Sequence, residues 1–274
     1  MVAGARMSND ISAPARLLRG FAIDFLTCHD LTVVDRIMDP DYGLTIGGHV
    51  LDGRDQAYLP ATAAQLEQFP GLCVTVHDVM LGQDAMAMRF TEHGVSRKHD
   101  GRAAAWGGVT MFRISNGRLR RGWAEEDYFA RKRQLATGHC DLVKSPHPAP
   151  WDALVEPPSD AAADIVRTWL KDPRAMVNAD NIEEISSEGP SFAELIAVDE
   201  FRSEEVISTG QRVAFRAVGH GSYAGGFTDI DTSRVGHRIA LSVAGLLTVR
   251  SGQVSDVQIA FDRLGLHRSL LNRA

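Results

Sequence analysis

Cysteine is scarce in this sequence. The only three, Cys28, Cys73 and Cys140, are odd in number and widely spaced, and no pair forms a CxxC motif. Small secreted scaffolds and structural zinc sites need paired cysteines at close spacing. The sequence therefore predicts neither a disulfide framework nor a cysteine-based zinc site.

Long apolar runs and an excess of basic charge are also missing. No apolar run approaches the roughly 20 residues of a membrane span, and the first 13 residues lack the apolar core of a signal peptide. The net charge is −6, from 29 basic and 35 acidic residues, which disfavours a phosphate-binding groove. We expect a cytoplasmic protein that binds neither membranes nor nucleic acid.

The motifs that hold common cofactors are absent as well. The sequence has no glycine-rich phosphate loop, no dinucleotide fingerprint and no serine or cysteine elbow. Four side chains are of types that bind metals, namely His49, His93, His99 and Asp100. Their spacing matches no known ligand motif, so they do not predict a metal site. We therefore expect no cofactor and no metal, and chemistry done by acidic and basic side chains.

The most informative stretch runs from Met86 to Leu135. Met86, Met88 and Phe90 alternate with other residues, as in a strand with one apolar face. Asn116-Gly117 is a strong hairpin turn signal. In the strand beyond it, two faces alternate: one carries Ala124, Glu126 and Tyr128, and the other Trp123, Glu125 and Asp127.

A similar pattern recurs in the second half of the chain. Residues 88–94 match residues 215–221, and the hairpin recurs so that Gly117 falls on Gly252 and Asp127 on Asp262. Such internal similarity predicts two copies of one α+β unit. We place the first domain at residues 14–137, a proline-rich linker at 138–158 and a degenerate second domain at 159–274.

Periodicity predicts the elements around these strands. A helix should run from Pro14 to about Cys28, residues 39–41 should stop a second short helix, and a strand should follow over 42–46. A third helix should begin at Arg54, with Pro60 near its start. In the second copy we expect strands over about 182–187, 192–201, 206–219, 237–249 and 253–261.

The second copy has fewer helical residues to cover its sheet. A sheet must bury its apolar face, so the bare region should be covered by the linker, by the first domain or by another chain. We therefore expect domain pairing or a homo-oligomer.

The order of elements resembles the nuclear transport factor 2-like superfamily. Within it, residues 14–135 look most like the SnoaL-like polyketide cyclases. Three segments carry the likeness: residues 69–72, Glu92-His93-Gly94 in place of the group's Thr-His-x-Gly, and residues 112–117 leading to Trp123. The resemblance implies two tandem cone-shaped α+β barrels, each with an apolar pocket between the helices and the sheet.

The sequence departs from that family at one position. The residue after the last-strand tryptophan is an aspartate in the polyketide cyclases, where it acts in acid/base catalysis, and here it is Ala124. Alanine cannot transfer a proton, which weakens an aldol-cyclase assignment. Glu126 lies two residues further on the same face and could act from a displaced position.

Several residues are candidates for the site, each with a structural alternative. His93 is the leading base, although its counterpart His220 also suits a structural histidine. His49 follows the first strand, where a loop histidine is the alternative. Glu126 and Tyr128 could serve as acid and hydrogen-bond donor, or could belong to a solvated strand end. For substrate binding we expect Trp106, Asp24, Tyr42, Tyr58 and Glu92.

Two functions remain open. The first is a cofactor-independent enzyme that acts on an aromatic, polycyclic or polyketide-like molecule by carbon–carbon cleavage or formation, dehydration, isomerisation or cyclisation. Relatives that release formaldehyde from lignin-derived diarylpropane diols make such a lyase one specific form of it. The second is a ligand-binding or assembly module without turnover, which a degenerate second copy favours.

Overall fold

The chain folds into two α+β domains, each built on one curved sheet. The computed structural model describes residues 11–177, 181–185 and 188–272. The first sheet has six strands in the order β2-β1-β6-β5-β4-β3, and the second has five in the order β7-β11-β10-β9-β8. The predicted fold class, two tandem cone-like α+β units, is confirmed. The exact domain boundaries stay predictions.

Helices of the first domain cover one face of its sheet. Helix α1 (Ala13–Arg19) is capped by the Ser12 side chain and continues as a π-helix over Gly20–Thr27. A 3-10 turn (Leu31–Val33) leads into α2 (Val34–Ile37). A π-helical turn (Arg54–Tyr58) continues directly into α3 (Leu59–Gln68), in which Pro60 is the second residue.

The first sheet contains β1 (Met38–Ile46), β2 (His49–Asp52), β3 (Cys73–Leu81), β4 (Ala85–Val95), β5 (Ala103–Ser115) and β6 (Arg118–Glu126). Helix α4 (Tyr128–Thr137) follows, capped by Asp127. The prediction that residues 39–41 end a helix before the strand was wrong in detail. They lie inside β1, in a stretch whose pairing with β6 shifts register between Met38 and Gly43.

The second domain contains α5 (Asp160–Trp169), β7 (Ile182–Glu184), α6 (Phe192–Leu195), β8 (Ile196–Thr209), β9 (Arg212–Tyr223), β10 (Arg238–Arg250), β11 (Gln253–Phe261) and α7 (Arg263–Asn272). Part of the strand predicted over 182–187 lies outside the described residues.

Two predicted strands of the second domain were wrong in their bounds. The segment from Phe192 begins as a helical turn, because Ser191 and Glu194 form a reciprocal capping box. The predicted strand 206–219 is two strands. Gly210, at φ 55°, forms the turn between them, a backbone conformation that glycine adopts readily.

Each sheet has an inner face against its own helices and an outer face against the other domain. In β4 the inner face carries Met86, Met88, Phe90 and Glu92, and the first core lies there. A separate core joins the two outer faces, with Met80 and Met111 from one sheet against Leu246 and Ala260 from the other. The linker runs along β3, where the His147 N–H donates to the Val76 carbonyl at 2.8 Å.

Of the three covers expected for the second sheet, the first domain packs against its outer face, whereas the linker lies along β3 of the first sheet. A homo-oligomer stays a prediction. Among the described residues, no helix combines the length and apolar character that crossing a membrane requires.

Candidate active site

A cavity of about 250 Å³ lies between the helices of the first domain and the inner face of its sheet. Its walls are mostly apolar, with Phe21 and Leu26 from the first helix and Met88 and Phe90 from β4. The polar groups that line it are His49, Tyr42, Tyr58, Thr62, Gln65, Glu92, Thr110, Glu126 and Tyr128. An enclosed apolar space with a few polar groups is the usual form of a small-molecule site.

Strand alternation brings two carboxyl groups to this cavity. Glu92 lies on the inner face of β4 opposite Trp106 of β5, and Glu126 lies on the inner face of β6 opposite Gly108 of β5. Only 3% of Glu92 and 9% of Glu126 is exposed. Burial of two acids in one apolar space disfavours their ionisation, and the second charge is disfavoured most.

Hydrogen bonds fix both carboxyl groups. The Trp106 indole N–H donates to Glu126 Oε2 at 2.9 Å, and the Gln65 amide donates to Glu92 Oε2 at 2.6 Å. Burial, and then the charge of Glu126, raise the pKa of Glu92 well above its ordinary value. Burial also raises the pKa of Glu126, against the opposing hydrogen bonds of Trp106 and Tyr128. Both shifts favour the protonated form, and the charge of Glu126 contributes to the rise for Glu92.

Arg131 supplies positive charge beside the pair. Its guanidinium lies 4.3 Å from the ring centre of Tyr128 and 5.0 Å from that of Trp106. It also donates to the Gln65 side-chain oxygen at 3.3 Å, so that Gln65 links it to Glu92. This charge opposes the rise that burial causes in the pKa of both carboxyl groups.

Three phenols surround the same space. Burial raises the pKa of Tyr42, Tyr58 and Tyr128, so each remains a neutral hydrogen-bond donor. Tyr128 interacts with Glu126, and Tyr58 packs edge-on against Tyr42 with ring centres 4.9 Å apart. The fully buried Tyr42 hydroxyl has no hydrogen-bond partner among the described residues. A bound molecule with an acceptor oxygen would satisfy it.

Most of the predicted site residues thus meet at one cavity. Glu126, Tyr128, Tyr42, Tyr58 and Glu92 line it. Trp106 is buried next to it and contacts Glu126 through its N–H. His49 lies exposed at its rim, where β2 begins. Ala124, the position of the family's aspartate, lines the cavity two residues before Glu126.

Two predicted residues lie elsewhere. His93 is on the outer face of β4, half-buried beneath the linker, with Nε2 3.0 Å from the Thr75 hydroxyl. Burial lowers its pKa. Asp24 is on the outer side of the first helix, where its carboxylate lies 3.5 Å from Arg19. Neither lines the cavity, so the structure does not bring them together with Glu126.

Gln65, Arg131 and Thr110 were not among the predicted site residues. Glu92 lies two positions after Phe90 and therefore on the same strand face, a signal that could have favoured Glu92 over His93 as a group inside the cavity. Nothing local in the sequence distinguished Gln65 or Arg131, since both lie on ordinary helical segments. Among the described residues, no three His, Cys, Asp or Glu side chains group closely enough to hold a metal ion.

Comparison with known proteins finds one family model that matches the first domain. Residues 16–135 match the family model described as SnoaL-like polyketide cyclase. No curated protein matches the sequence closely.

Three solved structures align with about half of the chain. A SnoaL-like protein of Jannaschia sp. CCS1 is 18% identical with a TM-score of 0.42, over 48% of this chain and 98% of that one. IdmH of Streptomyces antibioticus is 20% identical with a TM-score of 0.40, over 45% and 98%. An LEH-like epoxide hydrolase of M. tuberculosis is 16% identical with a TM-score of 0.40, over 47% and 92%.

Proposed function

Because residues 16–135 match the SnoaL-like polyketide cyclase family model, we propose that this domain is a cofactor-independent acid/base enzyme. Its substrate would be an aromatic or polyketide-like small molecule bound in the cavity. The observation that carries the proposal is the pair of buried carboxyl groups, Glu92 and Glu126, on the inner face of the sheet.

The proposed chemistry uses one proton shared by two acids. The ionised carboxyl group takes a proton from one position of the substrate, and the protonated one gives a proton to another position. Arg131 and the Trp106 N–H stabilise the single negative charge. The reaction class that fits is dehydration, isomerisation, or formation or cleavage of a carbon–carbon bond.

A diarylpropane diol is one specific substrate that this pair suits. The base removes the proton of the primary hydroxyl, the adjacent carbon–carbon bond breaks and formaldehyde leaves. The electron pair of that bond forms a carbon–carbon double bond, and the hydroxyl on the far carbon leaves as water with the proton of the acid. Each proton has a donor and an acceptor within the pair, so no further reactant is needed.

Comparison of two carboxyl variants tests the proposal. Wild type is screened for turnover of aromatic diols, ketones and epoxides, followed by Glu92→Gln and Glu126→Gln. We expect each variant to lower kcat by about 10²- to 10⁴-fold, the usual contribution of general acid/base catalysis. Glu67→Gln is the matched control, because Glu67 is an exposed glutamate on the helix that carries Gln65. It should leave turnover unchanged.

Two results would contradict the proposal. One is a converted substrate whose turnover survives both carboxyl substitutions. The other is tight binding of aromatic ligands with no conversion of any of them, which would indicate a binding module.

A further inference from the structure

The second domain keeps the sheet register of the first but not its carboxyl groups. In the first sheet Phe90, Gly108 and Glu126 stand side by side, and in the second sheet Ala217, Val243 and Phe261 occupy that row. Likewise Glu92 beside Trp106 corresponds to Gly219 beside Leu241. Phenylalanine and glycine cannot transfer protons, so the second domain cannot perform the same chemistry.

Aromatic side chains fill the corresponding space in the second domain. A Cβ added to Gly219 would lie 3.1 Å from a ring carbon of Phe201. Phe192 and Phe261 pack edge-on with ring centres 5.4 Å apart, and both are buried. The second domain therefore lacks the carboxyl pair and carries aromatic rings on its inner face.

The second domain contacts the two residues that flank Glu126. Glu125 and Asp127 point away from the cavity, toward the second domain. Arg216 Nη2 lies 2.8 Å from Glu125 Oε1, and each side chain is only 1% exposed. Arg263 Nε donates to Asp127 Oδ1 at 3.1 Å, and its Nη2 contacts the other oxygen. Two buried arginines of one domain thus hold both neighbours of one carboxyl group of the other.

Arg216 also fixes the rim of the cavity. Its Nη2 donates to the Gly47 carbonyl at 2.6 Å, and the Gly47 N–H donates to Glu125 Oε2 at 3.2 Å. Gly47 begins the turn between β1 and β2, and His49 at the cavity rim follows it. The end of β6 and this turn are therefore held by the same guanidinium.

We propose that Arg216 and Arg263 are positioning residues, through which the second domain fixes the direction of the Glu126 side chain toward the cavity. The inference rests on the proposed function of the Glu92–Glu126 pair. Glu126 lies at the end of β6, just before α4 begins, and a strand end of this kind can shift. A displacement of about 1 Å of a reacting group can lower the reaction rate about 100-fold. Clamping both flanking side chains restricts such a shift.

Substitution by methionine tests the proposal, because methionine keeps much of the arginine stem and removes the guanidinium. The variants are Arg216→Met and Arg263→Met. The matched control is Arg212→Met: Arg212 lies on the same strand as Arg216 and forms a two-point ion pair with Asp78 across the same domain interface, at 2.6 and 3.2 Å. Asp78 belongs to β3, at the far edge of the first sheet from β1 and β6.

Two readouts are needed. Carbon-13 NMR of protein labelled at the glutamate carboxyl carbons, with Glu126 assigned from the spectrum of Glu126→Gln, reports the titration of Glu126 without any substrate. We expect Arg216→Met and Arg263→Met to shift its midpoint by on the order of one pH unit and Arg212→Met to leave it unchanged. With a converted substrate, kcat should fall about 10- to 100-fold while KM changes little.

Conservative and compensating variants keep the test decisive. Arg216→Lys retains the charge with fewer hydrogen bonds and should give an intermediate shift. If Arg216→Met does not fold, the double variant Glu125→Gln/Arg216→Met removes the guanidinium together with its carboxyl partner and is titrated in its place.

The proposal is overturned if Glu126 titrates alike in wild type and in the Arg216 and Arg263 variants. It is also overturned if Arg212→Met shifts the midpoint as much as they do. Lack of turnover by wild type, with the Glu126 midpoint still sensitive to Arg216 and Arg263, would count against the proposed function and leave the positioning role supported.

Discussion

The buried carboxyl group of Glu125 predicts a specific dependence of stability on pH. Burial, and to a lesser extent the nearby charge of Asp262, raise its pKa to about 8, although Arg216 and the Gly47 N–H favour the ionised form. In the unfolded chain the ordinary value of 4.5 applies. The folded protein therefore binds this proton more tightly. The resulting stabilisation is fully present below pH 4.5 and is lost as the pH rises through about 8.

The size of the effect follows from the two pKa values. Each pH unit between about 4.5 and 8 changes the free energy of unfolding by about 1.4 kcal/mol, so Glu125 accounts for at most about 5 kcal/mol. Typical domains have only about 5–15 kcal/mol in total. Glu92 and Glu126 also make the free energy of unfolding fall as the pH rises, because burial raises the pKa of both groups.

Urea unfolding at a series of pH values between 5 and 8.5 measures this dependence. Wild type should lose stability across the range, and Glu125→Gln, which cannot ionise, should lose several kcal/mol less. Glu67→Gln, on the exposed side of α3, should follow wild type. Equal slopes for wild type and Glu125→Gln would refute the assignment of a raised pKa to this buried group.

Three further predictions concern the cavity. Trp106→Phe removes the hydrogen bond from the indole N–H to Glu126, and such a bond to a charged acceptor contributes about 1.5–3 kcal/mol. The pKa of Glu126 should therefore rise by about one to two pH units in a carbon-13 titration. An unchanged midpoint would contradict this prediction. Gly122→Ala places a Cβ 2.3 Å from the Tyr42 hydroxyl oxygen. In urea unfolding, this clash should lower the free energy of unfolding by about 1–3 kcal/mol. An unchanged free energy of unfolding would mean that the Tyr42 ring can move aside. Tyr42→Phe removes a buried hydroxyl that has no hydrogen-bond partner among the described residues. Thermal unfolding should therefore show equal or higher stability, and calorimetry should show weaker binding of aromatic ligands that carry oxygen. A loss of stability would show that the hydroxyl is hydrogen-bonded in solution.

Short-range patterns predicted much of the first domain. The turn at Asn116-Gly117 and strand alternation correctly placed Ala124 and Glu126 on one face and Glu125 on the other. The same alternation places Glu92 on the face of Phe90, although the sequence analysis predicted Glu92 only as a substrate-binding residue and chose His93 as the base. His93 points outward because it is one position out of phase with Phe90.

Other features depended on contacts between distant parts of the chain. The helical turn at Phe192 was read as strand because a short apolar run fits either structure, and the capping box of Ser191 decides between them. The ion pairs of Arg216 and Arg263 join residues 91 and 136 positions apart, and no local pattern identifies such partners. Arg131 likewise acts through rings that only the folded sheet brings together.

The most direct test of the shared-proton site is the titration of Glu92 and Glu126 themselves, by carbon-13 NMR of the labelled carboxyl carbons with Glu92→Gln and Glu126→Gln for assignment. One proton should stay on the pair well above pH 4.5, and removal of either carboxyl group should shift the midpoint of the other. Two independent titrations in the ordinary range of exposed glutamates would contradict the account.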